Sequence, residues 1–127
     1  MNKPIVCLDF DGVCHAYTSG WKGADVIPDA AVPGLFEFLE EACKVFKIVI
    51  FSSRSHQHGG TQAMQWWFVV QRRLWREAGG IGSEILEIEF ATEKPPAIVT
   101  LDDRAITFTG AWPDVAALQA FKPWNKP

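Results

Sequence analysis

Ile5-Val6-Cys7-Leu8-Asp9-Phe10-Asp11-Gly12 is the stretch on which the fold turns. Residues 4–8 form a short apolar run, the pattern of a strand buried on both faces of a parallel sheet, and the run stops abruptly at Asp-Phe-Asp-Gly. Open α/β sheets put their sites at the carboxyl edge of such strands, so the two aspartates mark that edge. Asp9 and Asp11 are two positions apart, which in an extended chain sends both side chains to one side, and Gly12 lets the backbone turn away.

Working outward, residues 12–34 shift to Gly, Pro, Ser and Ala around Tyr17 and Trp21, with no sustained period of either kind, and are expected to form a flap over the strand end. Pro33 suits a first helical turn, and Leu35, Phe36, Leu39 and Cys43 then recur at helical spacing between Glu37, Glu40 and Glu41. Residues 47–51 make a second buried strand that ends at Ser52-Ser53-Arg54-Ser55. A long helix is expected over 61–78, with Ala63, Trp67, Val70, Leu74 and Ala78 on its inner face and Gly79-Gly80 closing it. Residues 86–90 and 97–101 add two strands, the second ending at Asp102-Asp103-Arg104, and 106–109 a fifth. A short helix over 113–121 precedes a loose tail at 122–127. Strands alternating with helices define an α/β chain, expected as one three-layer, Rossmann-like domain spanning 1–127 around a mainly parallel central sheet, with the flap as its only elaboration and no large cap.

Composition narrows the function classes. The chain has 127 residues, 48% hydrophobic and 21% charged, the balance of an ordinary folded domain. Twelve basic against fifteen acidic residues give a net charge of −3, so a broad positive field for nucleic acid is not indicated, although a local basic groove stays open. Cys7, Cys14 and Cys43 are odd in number and lie in or beside apolar stretches, which points to reduced thiols and a cytoplasmic location. No segment has the length of a membrane span or the order of a signal peptide.

The chemistry gathers where strands end. Parallel strands share one carboxyl edge, so Asp9 and Asp11, Ser52 and Ser53, and Asp102 and Asp103 are expected to converge. Carboxylates crowded in this way repel unless a cation offsets them, which calls for a hard divalent ion with oxygen ligands, Mg²⁺ first among them. Lys94, behind Pro95-Pro96, is expected to reach back and add a positive charge.

In order along the chain, Val6-Cys7-Leu8-Asp9-Phe10-Asp11-Gly12-Val13, Ile50-Phe51-Ser52, Lys94 and Val99-Thr100-Leu101-Asp102-Asp103 resemble the four motifs of the haloacid dehalogenase (HAD) superfamily. The resemblance covers residues 4–104. It implies a phosphatase in which Asp9 is the nucleophile that becomes an aspartyl-phosphate, and Asp11 protonates the leaving group and then activates water. It further implies a Mg²⁺ held by the Asp9 carboxylate, the Asp11 carbonyl and the Asp102 carboxylate, with Asp103 behind them, while Ser52 and Lys94 bind the phosphoryl group. An acid at position 11 separates this pattern from relatives that cleave carbon–halogen bonds. The short intervals between motifs resemble uncapped members with open sites, and Ser52-Ser53-Arg54 and Asp102-Asp103-Arg104 are similar to the phosphatase half of polynucleotide kinase-phosphatases.

The expected partner is therefore a phosphorylated substrate, either a small molecule or a macromolecular end. A nucleic-acid end phosphatase or phosphotransferase on the same residues, and a non-catalytic phosphate- or metal-binding module, are the alternatives. His15, just after the nucleophile, and Ser53 are candidate substrate contacts. Arg54 and Arg104 stand open between binding a second phosphate and pairing with acidic neighbours. His56 and His58, spaced H-x-H, lack a third ligand and read as exposed loop residues. Trp66-Trp67-Phe68-Val69-Val70 is apolar on more than one helical face, leaving an excess that could bury against Trp21, stack a base or form a homodimer interface.

Overall fold

The computed structural model describes residues 2–83 and 86–126; Met1, Glu84, Ile85 and Pro127 lie outside the described residues. β1 (Ile5–Leu8), β2 (Lys47–Ile50), β3 (Ile88–Phe90) and β4 (Val99–Leu101) form one sheet in the order β3-β2-β1-β4. Every pairing is parallel: Cys7 lies opposite Val49 on one side and Thr100 on the other, and Val49 opposite Glu89. The helices are α1 (Leu35–Val45), α2 (Gly60–Glu77) and α3 (Val115–Gln119). The α/β class and the parallel sheet follow the sequence expectation. The fifth strand does not: residues 106–109 leave the sheet, and Phe108 packs on Trp112 with ring centroids 4.8 Å apart.

Burial explains the central strands. Val6, Cys7 and Leu8 of β1 and Ile48, Val49 and Ile50 of β2 are all buried, the continuous apolar pattern of strands covered on both faces. α1 begins after Gly34, whose φ of 93° stops the preceding chain, and buries Leu35, Phe36, Leu39 and Ala42, one stripe at helical spacing. Leu39 is fully buried, and truncating it to Ala would cost about 2–5 kcal/mol.

The inner face of α2 differs from expectation. Met64, Trp67 and Phe68 are buried, Ala63 and Val70 are only half-buried, and Leu74 and Ala78 are exposed. The reason is aromatic packing. Phe68 reaches Phe36 and Phe90, and both Trp67 and Phe68 pack around Phe10, which is fully buried just beyond β1. This cluster joins the sheet to both long helices and rotates α2 about its axis. At its start, a Cβ on Gly60 would stand 2.0 Å from the carbonyl oxygen of Arg54, so only glycine lets the helix begin against that loop.

The flap over 12–34 is an irregular excursion, but its base is tied down. Ala16 N–H donates to Ala30 and Val32 N–H to Cys14, and His15 bridges to Ala31. The C-terminal end is attached as well. Trp124 Nε1 donates to the Gly12 carbonyl at 2.8 Å and Asn125 Nδ2 to the Ala16 carbonyl at 3.1 Å, so residues 122–126 are a strap across the flap base where a loose tail was expected. Among the described residues no helix is long and apolar enough to cross a membrane.

Candidate active site

The sheet order reverses direction between β1 and β4, and the chain ends of these two strands are stitched together by the Asp9 N–H, which donates to Leu101 O at 2.9 Å. The crevice outside the carboxyl ends at such a reversal is where open α/β sheets bind ligands. Here Asp9, Asp102 and Asp103 each offer a carboxylate oxygen, and these atoms lie within 4.8 Å of one another. Asp103 sits beside Asp102 in this cluster, not behind it.

The surroundings of the three carboxylates leave their charge largely uncompensated. Burial, reinforced by the negative charges of Asp102 and Asp103, pushes the Asp9 carboxyl up to about 8, against the opposing hydrogen bond from the Phe10 backbone. The Asp103 side chain is 3% exposed, and its buried Oδ1 has no hydrogen-bond partner among the described residues. Asp102 Oδ1 accepts the Arg104 N–H at 2.8 Å, and the half-exposed Arg104 Nε comes to 3.8 Å from Asp103 Oδ2. No other basic side chain pairs with the cluster among the described residues. A buried, partnerless oxygen among crowded carboxylates fits a hard cation, for which Mg²⁺ has the right preference for oxygen. Gly12 makes room for the Asp103 carboxylate: at φ 80° its missing Cβ would fall 2.1 Å from Asp103 Oδ2.

Asp11 was expected to converge with Asp9, and its carboxylate belongs to a different constellation. Arg54 Nε donates to Asp11 Oδ2 at 2.9 Å and Arg54 Nη2 to Asp11 Oδ1 at 3.1 Å, a forked ion pair. His15 Nδ1 lies 2.9 Å from the same Oδ1, while its Nε2 accepts the Asp29 N–H at 3.0 Å. Those partners assign the Nδ1–H tautomer to a neutral ring. Burial alone would raise Asp11, but the hydrogen bonds from His15 and Arg54, with the Arg54 charge, outweigh it and hold the carboxyl below its ordinary range.

Arg54 is fully buried and spends the rest of its capacity on the flap. Nη1 donates to Gly23 O at 2.7 Å and Ala24 O at 2.9 Å, and the guanidinium lies 4.7 Å from the Trp21 ring centroid. Of its two open readings the structure selects pairing with an acidic neighbour. His15 is likewise fully buried, enclosed by Phe10, Tyr17 and Trp67, so it orients Asp11 from behind and does not face substrate.

Ser52 is buried at the end of β2, where Phe51 N–H donates to Leu8 O, and its Oγ accepts the Arg54 N–H at 3.2 Å. The hydroxyl proton is left to donate elsewhere. Ser53 is exposed, and its carbonyl accepts from Gln57. Lys94 is exposed in the β3–β4 connection and makes no ion pair with the acidic cluster. His56 packs edge-on against Phe51 and His58 is exposed, away from any carboxylate trio. The Cys14 thiol is buried and donates to Asp9 O at 3.6 Å; burial, with the charges of Asp9 and Asp11, pushes it far up, so it is no nucleophile.

Sequence reasoning missed Asp29, which donates its backbone N–H to His15 Nε2, holds Ser19 through both carboxylate oxygens and takes the Trp67 indole N–H on its carbonyl. Nothing local flags it, since its partners lie 10 to 38 residues away. Compared with protein-family models, curated proteins and solved structures, the chain matches none.

Proposed function

We propose that this chain is a HAD-like, magnesium-dependent phosphatase that hydrolyses a phosphate monoester through an aspartyl-phosphate on Asp9. One observation carries the reading: the Asp9, Asp102 and Asp103 carboxylates meet at the reversal of the sheet order, with a buried Asp103 oxygen lacking any partner. Asp9, Asp102 and Asp103, with the Asp11 carbonyl, would hold the Mg²⁺, which when bound offsets the charge of the carboxylates and of the phosphoryl group.

In this reading an Asp9 oxygen attacks phosphorus while the bond to the leaving oxygen breaks. Ser52, whose hydroxyl proton is uncommitted, donates to a phosphoryl oxygen. Lys94 supplies a countercharge from the β3–β4 connection by swinging its side chain inward. Water then attacks phosphorus, the bond to Asp9 breaks, and inorganic phosphate leaves. Asp11, kept ionised by Arg54 and His15, is in the form that can accept the proton of that water, with its basicity reduced by the same contacts. The same contacts leave little protonated Asp11 to donate in the first step, so kcat/KM should rise steeply as the leaving group becomes less basic.

The test is hydrolysis of a generic aryl phosphate. Turnover with Mg²⁺, abolished by EDTA and by Asp9→Asn, together with binding of beryllium fluoride plus Mg²⁺ at Asp9, supports the phosphatase. Mg²⁺ binding without turnover of aryl, nucleotide or oligonucleotide phosphates would leave a non-catalytic metal-binding module in its place.

A further inference from the structure

We infer that the surface made by β4, the segment after Asp103 and α3 is an interface between two copies of this chain related by a two-fold axis. A parallel strand is ordinarily covered on both faces, and β1 and β2 obey that rule. β4 breaks it. Val99, Thr100 and Leu101 are all exposed, and β4 is also the outer strand of the sheet, with no strand on its far side among the described residues. An uncovered edge of this kind needs a device to protect it, such as a charge, a proline or a covering element. None is present in Val-Thr-Leu, and α3 does not cover it, because α3 buries none of its own residues.

The uncovered surface is extensive and apolar. Ten large hydrophobic side chains between Ile98 and Trp124 are each 39% to 87% exposed, the extreme being Trp112. Scaled by side-chain areas of about 150–250 Å² for aromatics and somewhat less for aliphatics, they present on the order of 1,000 Å² of apolar surface. That exceeds the ~300–600 Å² of the largest patch on a typical monomer and meets the ~800 Å² per partner that a stable association buries. Within it lies a cleft of about 640 Å³ lined by Ile106, Phe108, Trp112, Val115 and Leu118. Ile106 and Thr107 also line the neighbouring cleft beside Leu101 and Trp124, so the surface runs without a break from α3 to β4.

Charge selects the occupant. A two-fold axis packs one patch against the same patch, residue i against j and j against i, so a face rich in charge of one sign would repel itself. Between Ala105 and Phe121, the stretch that lines the larger cleft, the only ionisable side chain is Asp114, whose carboxylate accepts the Ala116 N–H at the start of α3; Asp102 and Asp103 stand in the neighbouring cleft at the β4 end. A stretch with one committed charge offers little to a partner of complementary sign and does not repel itself.

Sedimentation velocity on the full chain tests the inference, with and without Trp112→Glu and Val115→Glu. Both sites are mainly exposed, so circular dichroism should stay unchanged. The wild type should run at twice the 14.2 kDa of one chain, and the two substitutions together should raise the dissociation constant at least ~100-fold. Trp66→Glu, 68% exposed on α2 outside this surface, should leave the dimer intact. A wild-type monomer at concentrations up to about 100 µM, where an interface of this size should form, would overturn the inference. So would a ladder of larger species, or a dimer broken by Trp66→Glu and not by the paired substitutions.

Discussion

Asp9 and Asp11 are the same residue type, two positions apart at the end of one strand, and their surroundings drive them in opposite directions. Asp9 faces two further carboxylates with no buried cation, and holds its proton up to about pH 8. Asp11 is clasped by a buried arginine and a histidine, and loses its proton more readily than an ordinary aspartate. One neighbourhood is built to receive positive charge; the other already has it. Charge compensation, not residue identity, therefore divides the edge into a cation-seeking half and a self-sufficient half that also anchors the flap.

The largest effect should come from the cation-seeking half. Asp9→Asn is expected to lower turnover by at least about a thousandfold, since the amide cannot attack phosphorus, while raising the melting temperature in EDTA at pH 8 by a few degrees because one repelling charge is gone. A steady-state assay and a thermal melt check both halves of the statement. Wild-type turnover would remove Asp9 from the chemistry.

On the self-sufficient half, Arg54→Ala leaves Asp11 without its fork and the Gly23 and Ala24 carbonyls without their donor, and should cost about 3–5 kcal/mol in chemical denaturation. Arg54→Lys should recover only part, because an ammonium cannot span the carboxylate and the flap together. A loss under 1 kcal/mol would mean that the flap is held by other contacts.

Next in size is the division of labour within the acidic trio. Asp103→Asn should weaken Mg²⁺ binding, measured by calorimetry, at least as much as Asp102→Asn does. Asp103 brings a buried oxygen with no other partner, whereas Asp102 already accepts from the Arg104 backbone. The reverse order would put Asp103 behind the metal, as the resemblance implies.

The smallest effect is the pH dependence, and its sign separates the two aspartates. Asp9 has a folded value of about 8 against 3.8 in the unfolded chain, so its protonated form adds stability that is fully present below 3.8 and is lost as pH rises through about 8. Asp11, depressed on folding, adds stability that is present above 3.8 and is lost as pH falls through its lowered value. In EDTA, the melting temperature of wild type relative to Asp9→Asn should therefore fall between pH 5 and 8, and Mg²⁺ binding in that range should release a proton. A difference that stays flat with pH would show that Asp9 is not held protonated without metal.

Much of this architecture was legible in order along the chain. Continuous apolar runs that halt at Asp9, Ser52 and Asp102 mark three strands of a parallel sheet and the edge where polar groups gather; for the first two, burial on both faces admits no other composition. The helical stripe from Leu35 to Cys43 was legible for the same reason. Tertiary structure decided what depends on partners distant in sequence. Trp67 and Phe68 rotate α2 because Phe10 waits in the core 57 and 58 positions earlier. Arg54 turned from a candidate phosphate ligand into the clasp of Asp11 and the flap, and Asp103 moved into the acidic trio. A sequence specifies which side chains carry charge. Only the folded chain fixes the distances between them, and electrostatic energy depends on those distances and on the water removed from around them.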